Sequence, residues 1–412
     1  MNIPFTPTPD TAAIIGCLLD IFERRDGQPK QAVRIRVAEL NLPGYYSQSD
    51  PAPRVTTNEQ ITQLEQQGLV NPTWESGQKG HLLETVTLNP AQTDVLYQLL
   101  DRQPLAEQRQ HLRDLLLAER THLTGWRKKA IEYCLNQLRA HKSPAPFSLT
   151  NLEWNQDLLT TLLALPDEET RTEIPYRVFS VRIFNDSKRF EALKDTVARL
   201  ASRHNTLWRG LPLPDVLREM GLVANPNHLY LYGPWQLTDA DGQVTSLAEF
   251  YPSVGIPAAL AARLRRVEVS AARVICVENL AAFYELVRYE GQDLAALCLW
   301  GNPSPATRHL LRCLVASLPD SIPLHLWADI DFGGLNILAH LRRQVTPRFI
   351  PYLMDVTTLQ AHSRWTHPLS NNDERNLSQI RQQAVLSDMI SLIDYMLLED
   401  LKLEQEAIVI GL

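Results

Sequence analysis

Residues 324–334 read LHLWADIDFGG: an apolar run that closes on two carboxylates, Asp329 and Asp331, followed at once by two glycines. The stretch is too short and too rich in apolar residues for a surface helix, and it reads as a buried strand running into a helix start. Working outward, ARVICVEN (272–279), ALCLWGN (296–302) and RFIPYLMD (348–355) have the same character. Between these strands lie LAAFYELVRYE (280–290), SPATRHLLRCLVASLP (304–319) and GGLNILAHLRRQ (333–344), each apolar at helical spacing. Strands alternating with helices of this length predict a parallel sheet flanked by helices, an α/β domain over residues 268–412.

In such sheets functional residues gather at the carboxyl ends of the strands. Glu278 ends the first strand of the unit, and Asp329 and Asp331 end the third. If strands one and three are neighbours, as in a 2-1-3-4 order, the three carboxylates converge. If the strand holds that far, Asp329 and Asp331 point to one side. Three anions together raise one another's pKa unless a cation neutralises them, and a hard, oxygen-seeking ion such as Mg²⁺ or Mn²⁺ suits the donors. The glycines 333 and 334 would let a phosphate come close to the next helix start. Helix capping is the competing explanation: Asp331 before FGGLNIL and Glu278-Asn279 before LAAFYEL are plausible caps. Caps leave Asp329 unexplained.

Upstream the chain changes character. Residues 11–25 form an amphipathic helix, VRIRVAELNL (33–42) reads as a second short helix, and a third is expected to begin near Thr56-Thr57 and stop at Gly68. Two strands around the turn in LVNPTWESGQKGHLLETVTL then complete the order of parts of a winged helix-turn-helix over residues 1–92. Residues 93–168 read as a helical arm, broken at Gly125 and at Pro144 and Pro146. Residues 169–267 read as an α+β connecting domain. In it, Tyr176 to Phe184 alternates like a strand, a helix starts at Asp186 or Ser187, and LYLYGPWQLTDADGQVTSL is a hairpin turning at Asp241-Gly242.

With 412 residues the chain is long enough for several domains, and 44% hydrophobic with 21% charged residues is ordinary for a globular protein. The net charge of −7 argues against a uniformly basic nucleic-acid binder but leaves room for local basic faces. Between Arg102 and Lys142, nine Lys/Arg face four acids, and this excess includes Arg127, Lys128 and Lys129. The bland reading is a solvated helix face. Five cysteines without a C-x-x-C pair are expected to be reduced. No run is long enough to span a bilayer, and the first residues, MNIPFTPTPD, lack a basic start and an apolar stretch, so a cytoplasmic location is expected.

A Glu at one strand end and D-x-D at the end of the strand two later resembles the Toprim domain of topoisomerases, primases and related nucleases. VENLAAFYEL (277–286), LWGNPSP (299–305), RIFNDSKRFE (182–191) and LEQEAI (403–408) narrow the resemblance over residues 170–412. Together they look like the JetD family, the nuclease subunits of Wadjet anti-plasmid systems, which are similar to the A subunit of topoisomerase VI. That resemblance implies a DNA-cleaving homodimer working on plasmid DNA with an SMC–kleisin–kite complex. It gives Glu278, Asp329 and Asp331 the metal-binding catalytic role, and nominates Arg182, Lys188 and Arg189 as phosphate contacts. One departure bears on mechanism. The relatives that attack DNA with a tyrosine carry an Arg-Asp pair before it, whereas Tyr45-Tyr46 here follows Pro43-Gly44. Hydrolysis by a metal-activated water is therefore expected. A non-catalytic DNA-binding scaffold and a topoisomerase VI-type strand-cleaving subunit are the alternatives.

Overall fold

The computed structural model describes residues 3, 5–25, 31–166, 172–289 and 293–408. They form two compact units: Met1–Thr124 with Ile131–Asn155, and Gly125–Ala130 with Gln156–Leu412. The boundary expected at 168/169 lies outside the described residues.

In the first unit, helix Pro9–Arg24 begins under the Thr8 hydroxyl, which accepts the Thr11 N–H at 3.2 Å, and buries Ile14, Ile15, Leu18 and Leu19. The expected second helix is instead a strand, Arg34–Arg36, and a 3₁₀ turn, Val37–Glu39. The reason is period: Val33, Ile35 and Val37 are buried while Arg34 and Arg36 are exposed, an alternation that only an extended chain satisfies. The third helix runs Ala52–Gln66 and starts earlier than expected, where the Asp50 carboxylate accepts the Ala52 N–H at 2.9 Å. Strands Val70–Trp74 and Leu83–Leu88 pair antiparallel, and the latter also pairs with Arg34–Arg36. Helices Thr93–Leu99, Leu105–Arg120, Gly125–Arg139 and Leu152–Ala164 follow.

In the second unit, Tyr176–Phe184 is a helix, not the expected strand. Here packing overrides β-propensity. Phe179 is buried against Phe190 with ring centroids 5.0 Å apart, and the buried Ser180 hydroxyl accepts the Phe190 N–H at 2.9 Å. Asn185, at φ 55°, ends the helix, and the next runs Arg189–His204. The expected long hairpin is also shorter. Trp235–Asp239 turns through Gly242 into Val244–Ser246 and pairs with Leu264–Val269, whereas residues 229–232 belong to the main sheet. At Gly233, φ 100°, an added Cβ would stand 2.3 Å from the Leu294 carbonyl oxygen, so only glycine lets the chain leave the sheet there.

The main sheet consists of β1 (His228–Tyr232), β2 (Val254–Pro257), β3 (Arg273–Val277), β4 (Leu294–Cys298), β5 (Leu324–Trp327) and β6 (Phe349–Pro351), in spatial order β6-β5-β3-β4-β1-β2. β3 runs parallel to β4 and β5, and β5 to β6, while β1 and β2 add an antiparallel edge. The four parallel strands therefore have the 2-1-3-4 order that makes the first and third neighbours. Helices α1 (Leu280–Tyr289), α2 (Pro305–Val315) and α3 (Phe332–Gln344) connect them. β3 and β4 are nearly all buried apolar residues, as parallel strands covered on both faces must be. Helices Asn371–Ile380 and Ile390–Glu399 lead to a terminal strap, whose Leu403 exchanges both backbone hydrogen bonds with Ile330 at 2.9 and 3.1 Å.

Candidate active site

Register decides what meets at the sheet edge. Val277 lies opposite both Cys298 and Trp327, so Glu278, Leu299 and Ala328 leave the sheet at one level. The Glu278 N–H still donates to the Trp327 carbonyl at 2.9 Å. β5 ends at Trp327, before either aspartate, so the two are not placed by strand alternation. Three other contacts hold them. The Asp329 N–H donates to Glu278 Oε2 at 3.2 Å, Asp329 Oδ1 accepts the Gln405 N–H at 2.7 Å, and Asp331 Oδ1 accepts the Gly334 N–H at 2.8 Å.

Asp331 is thus the N-cap of α3, as the bland reading held. At the start of α1 the cap is Asn279, whose Oδ1 accepts the Ala281 N–H at 2.7 Å, and this leaves Glu278 without a capping duty. The glycines have a structural role. A Cβ on Gly334 would stand 2.1 Å from the Asp329 carbonyl oxygen, so the helix seats directly against the main chain of Asp329. That position is filled and offers a phosphate no approach.

The three acids are partly exposed, yet deep enough for burial to dominate their titration. Burial, then the charge of Asp329, pushes the Glu278 carboxyl up to about 8. Burial also pushes Asp329 up to about 6, against the lowering effect of the Gln405 N–H, with Asp331, Glu406 and Glu404 adding repulsion. Asp331 is raised by burial, and the Gly334 N–H and the Lys402 charge moderate it. Lys402 itself binds Asp373 at 2.9 Å. Without a cation, the site holds more carboxylates than it can ionise near neutrality.

Hard oxygen donors of this kind suit a divalent ion such as Mg²⁺ or Mn²⁺. One oxygen of each acid is fixed by a backbone N–H, which orients its partner oxygen. Among the described residues, no three His, Cys, Asp or Glu side chains already surround one point as metal ligands.

Sequence reasoning missed Gln405. It is fully buried, and besides its N–H to Asp329 it donates from Nε2 to the Trp327 carbonyl at 2.9 Å and accepts the Asn279 N–H at Oε1, 3.0 Å. The side-chain amide therefore ties together the ends of β3 and β5, and the main-chain N–H of the same residue holds the Asp329 carboxylate. The signal available in the sequence was LEQEAI, one of the stretches that carry the resemblance.

The nominated basic residues have mixed fates. Arg127 Nη1 donates to the carbonyls of Leu162 and Leu165 at 3.0 and 3.2 Å, closing the end of helix Leu152–Ala164, and Arg189 pairs with Asp157. Lys128, Lys129, Arg182 and Lys188 are exposed. Tyr45 is fully buried, with its hydroxyl donating to Asn58 Oδ1 at 2.9 Å and accepting the Leu83 N–H at 2.8 Å, whereas Tyr46 is exposed. All five cysteines are free. Among the described residues, no helix is long and apolar enough to cross a membrane.

Residues 239–412 match the family model described as the C-terminal part of Wadjet protein JetD. Wadjet protein JetD of Bacillus cereus (strain Q1) is similar to this chain at 22% identity over 367 residues, which is 89% of this chain and 88% of the relative.

Proposed function

Because this chain is a relative of Wadjet protein JetD, with residues 239–412 matching the JetD C-terminal family, we propose that it is a metal-dependent DNA endonuclease of a Wadjet defence system. The observation that carries this reading is the convergence of Glu278, Asp329 and Asp331 at the carboxyl edge of adjacent parallel strands, with Asp329 bonded to both Glu278 and Gln405. A scaffold has no physical reason to collect mutually repelling acids there.

Glu278, Asp329 and Asp331 would hold Mg²⁺ or Mn²⁺, and such an ion, when bound, supplies Lewis-acid polarisation of a phosphodiester and an activated water. The protein's own part is to fix the carboxylates. Gln405 orients Asp329, the start of α3 orients Asp331, and the Asp329 N–H orients Glu278. Tyr45 is committed to the core of its unit, which favours hydrolysis over attack by that tyrosine. On this reading the substrate is double-stranded plasmid DNA, and residues 1–92 act as a winged helix. The working form is a homodimer acting with an SMC–kleisin–kite complex.

The test is linearisation of plasmid by the purified protein, alone and with its partner complex, in Mg²⁺, in Mn²⁺ and in EDTA. Glu278→Ala and Asp329→Ala are expected to abolish cutting while keeping the wild-type circular dichroism spectrum. Full cutting by either variant, or undiminished cutting in EDTA, overturns the assignment.

A further inference from the structure

Where β4 leaves the sheet, the turn Leu299–Gly301 is stitched to the main chain that carries Glu278. The Leu299 N–H donates to the Val277 carbonyl at 2.8 Å and the Gly301 N–H to the Glu278 carbonyl at 3.1 Å. Between these two bonds stands Trp300, at φ 54°, a left-handed conformation that is costly for a bulky residue and is retained mainly where the surroundings enforce it. Its ring contributes little to the core, since the residue is 58% exposed. The Tyr230 ring packs beside it, with centroids 5.8 Å apart and planes tilted by 32°.

Both residues line a cavity of about 300 Å³. Its walls include Tyr230 and Trp300 together with His228, Arg218, Ser304 and Thr307. Ser304 and Thr307 are buried, with hydroxyls 2.8 Å apart. Arg218 is held by Asp215 and by the Asn302 carbonyl, each at 2.6 Å. An aromatic wall beside hydrogen-bonding groups selects a flat ring with polar edges. A lone phosphate would leave the rings unused and would find Arg218 already neutralised. An apolar ligand would leave unused the hydrogen-bonding capacity that Ser304 and Thr307 keep beyond their bond to each other and the Thr307 N–H that Ser304 Oγ accepts at 3.1 Å.

We propose that this cavity takes one unpaired nucleobase of the DNA strand engaged at Glu278, with Trp300 as its stacking face and positioning residue. The inference rests on reading the acids as a DNA-cleavage site, and it names what lies one strand away from them.

The experiment uses the full chain in EDTA, so that binding is read without cleavage. Fluorescence anisotropy compares two duplexes of the same sequence, one fully paired and one with a single bulged thymine, and thymidine 5′-monophosphate serves as competitor. The wild type is expected to prefer the bulged duplex by about tenfold, the scale of one base stacked on one aromatic ring. Trp300→Ala should erase the preference and Trp300→Phe should keep most of it, a rescue that a merely structural role would not produce. Equal affinity of the wild type for both duplexes, or an equal loss for both in Trp300→Ala, overturns the proposal. So does competition by the mononucleotide without any preference for the bulge, which would make this a site for free nucleotide. Loss of metal-dependent plasmid cutting in the wild type would instead remove the nuclease reading, because no cutting enters the binding measurement.

Discussion

The main-chain N–H of Asp329 points at Oε2 of Glu278 across 3.2 Å, so one acid of the cluster positions the other through its backbone while repelling it through its side chain. The hydrogen bond lowers the Glu278 pKa, and burial together with the neighbouring charges raises it by more. The cluster is therefore a stored electrostatic cost in the cation-free protein.

That cost has a pH signature. The folded-state pKa of Glu278 is about 8 against an ordinary 4.5, so between those values the folded protein keeps a proton that the unfolded chain releases. Stability then falls as pH rises from about 4.5 through about 8, and Asp329, raised to about 6, adds to the fall over the lower part of that range. Glu278→Gln is expected to melt higher than the wild type at pH 8 in EDTA, by an amount on the order of 1–3 kcal/mol. The two should converge near pH 4.5, and Mg²⁺ or Mn²⁺ should raise the melting temperature of the wild type more than that of the variant. A wild type more stable than Glu278→Gln at pH 8 in EDTA would refute the account.

Gln405 fixes three groups from one buried side chain and its own N–H. Gln405→Ala leaves the Trp327 carbonyl and the Asn279 N–H without this partner, at a cost of about 1–3 kcal/mol for buried groups. Alanine keeps the main-chain N–H that holds Asp329, but the strap carrying it loses both side-chain anchors, so plasmid cutting is expected to fall further than that stability loss accounts for. Gln405→Glu, which keeps the acceptor but adds a charge to an acidic cluster, should also be impaired and should recover in part as the pH is lowered. Cutting at the wild-type rate by Gln405→Ala would show that the strap does not support the site.

The parallel sheet was legible in the sequence, because buried parallel strands are unbroken apolar runs; the strand order was not, and the meeting of the acids followed only if the first and third strands were neighbours. The hold on Asp329 was not legible. It comes from a residue 76 positions away, and no local pattern reports such a contact. Val33, Ile35 and Val37 carried a readable period of two that the helical reading passed over. Tyr176–Phe184 misled for the opposite reason: its alternation of β-branched and polar residues is genuine, and the burial of Phe179 and Ser180 against the next helix outweighs it. Gly333-Gly334 was read as an opening, although a glycine can equally mark a place where two backbones touch.

Gly334 tests that last point. Alanine there must displace either α3 or the Asp329 carbonyl, since the added carbon would stand at 2.1 Å. Gly334→Ala is expected to cost about 1–3 kcal/mol, in the range for overpacking, and to suppress cutting by shifting Asp329. Gly333→Ala, whose Cβ meets Asp331 Oδ1 at 3.1 Å, should cost less because a side-chain atom can give way. Thermal melts and plasmid assays on both variants decide it, and equal behaviour would remove the special role given to Gly334.

The two tyrosines separate structure from chemistry. Tyr45→Phe removes a hydroxyl that serves both Asn58 and the Leu83 N–H, so a loss of roughly 1–3 kcal/mol is expected with cutting retained below the melting point. Tyr46→Phe should change neither. Reactions stopped with denaturant should yield no protein-linked DNA ends. A covalent adduct that disappears in Tyr46→Phe would replace hydrolysis by tyrosine attack.

The basic residues divide by what already holds them. Arg127 closes a helix end and Arg189 is paired with Asp157, so Arg127→Ala and Arg189→Ala are expected to lower the melting temperature and to affect DNA binding only through that loss. Lys128, Lys129, Arg182 and Lys188 are exposed and can meet phosphate. With a net charge of −7 the chain has little long-range attraction for DNA, so affinity must rest on such local contacts and must weaken with salt. Each phosphate contact removed by charge reversal should lower the slope of log affinity against log salt by about 1, without changing sequence preference. The measurement is a salt titration of duplex binding for Lys128→Glu/Lys129→Glu and for Arg182→Glu/Lys188→Glu, beside thermal melts of all the variants. A slope unchanged in both double variants would make these lysines and Arg182 solvated faces, and would direct the search for the DNA path to the sheet formed by residues 34–36, 70–74 and 83–88.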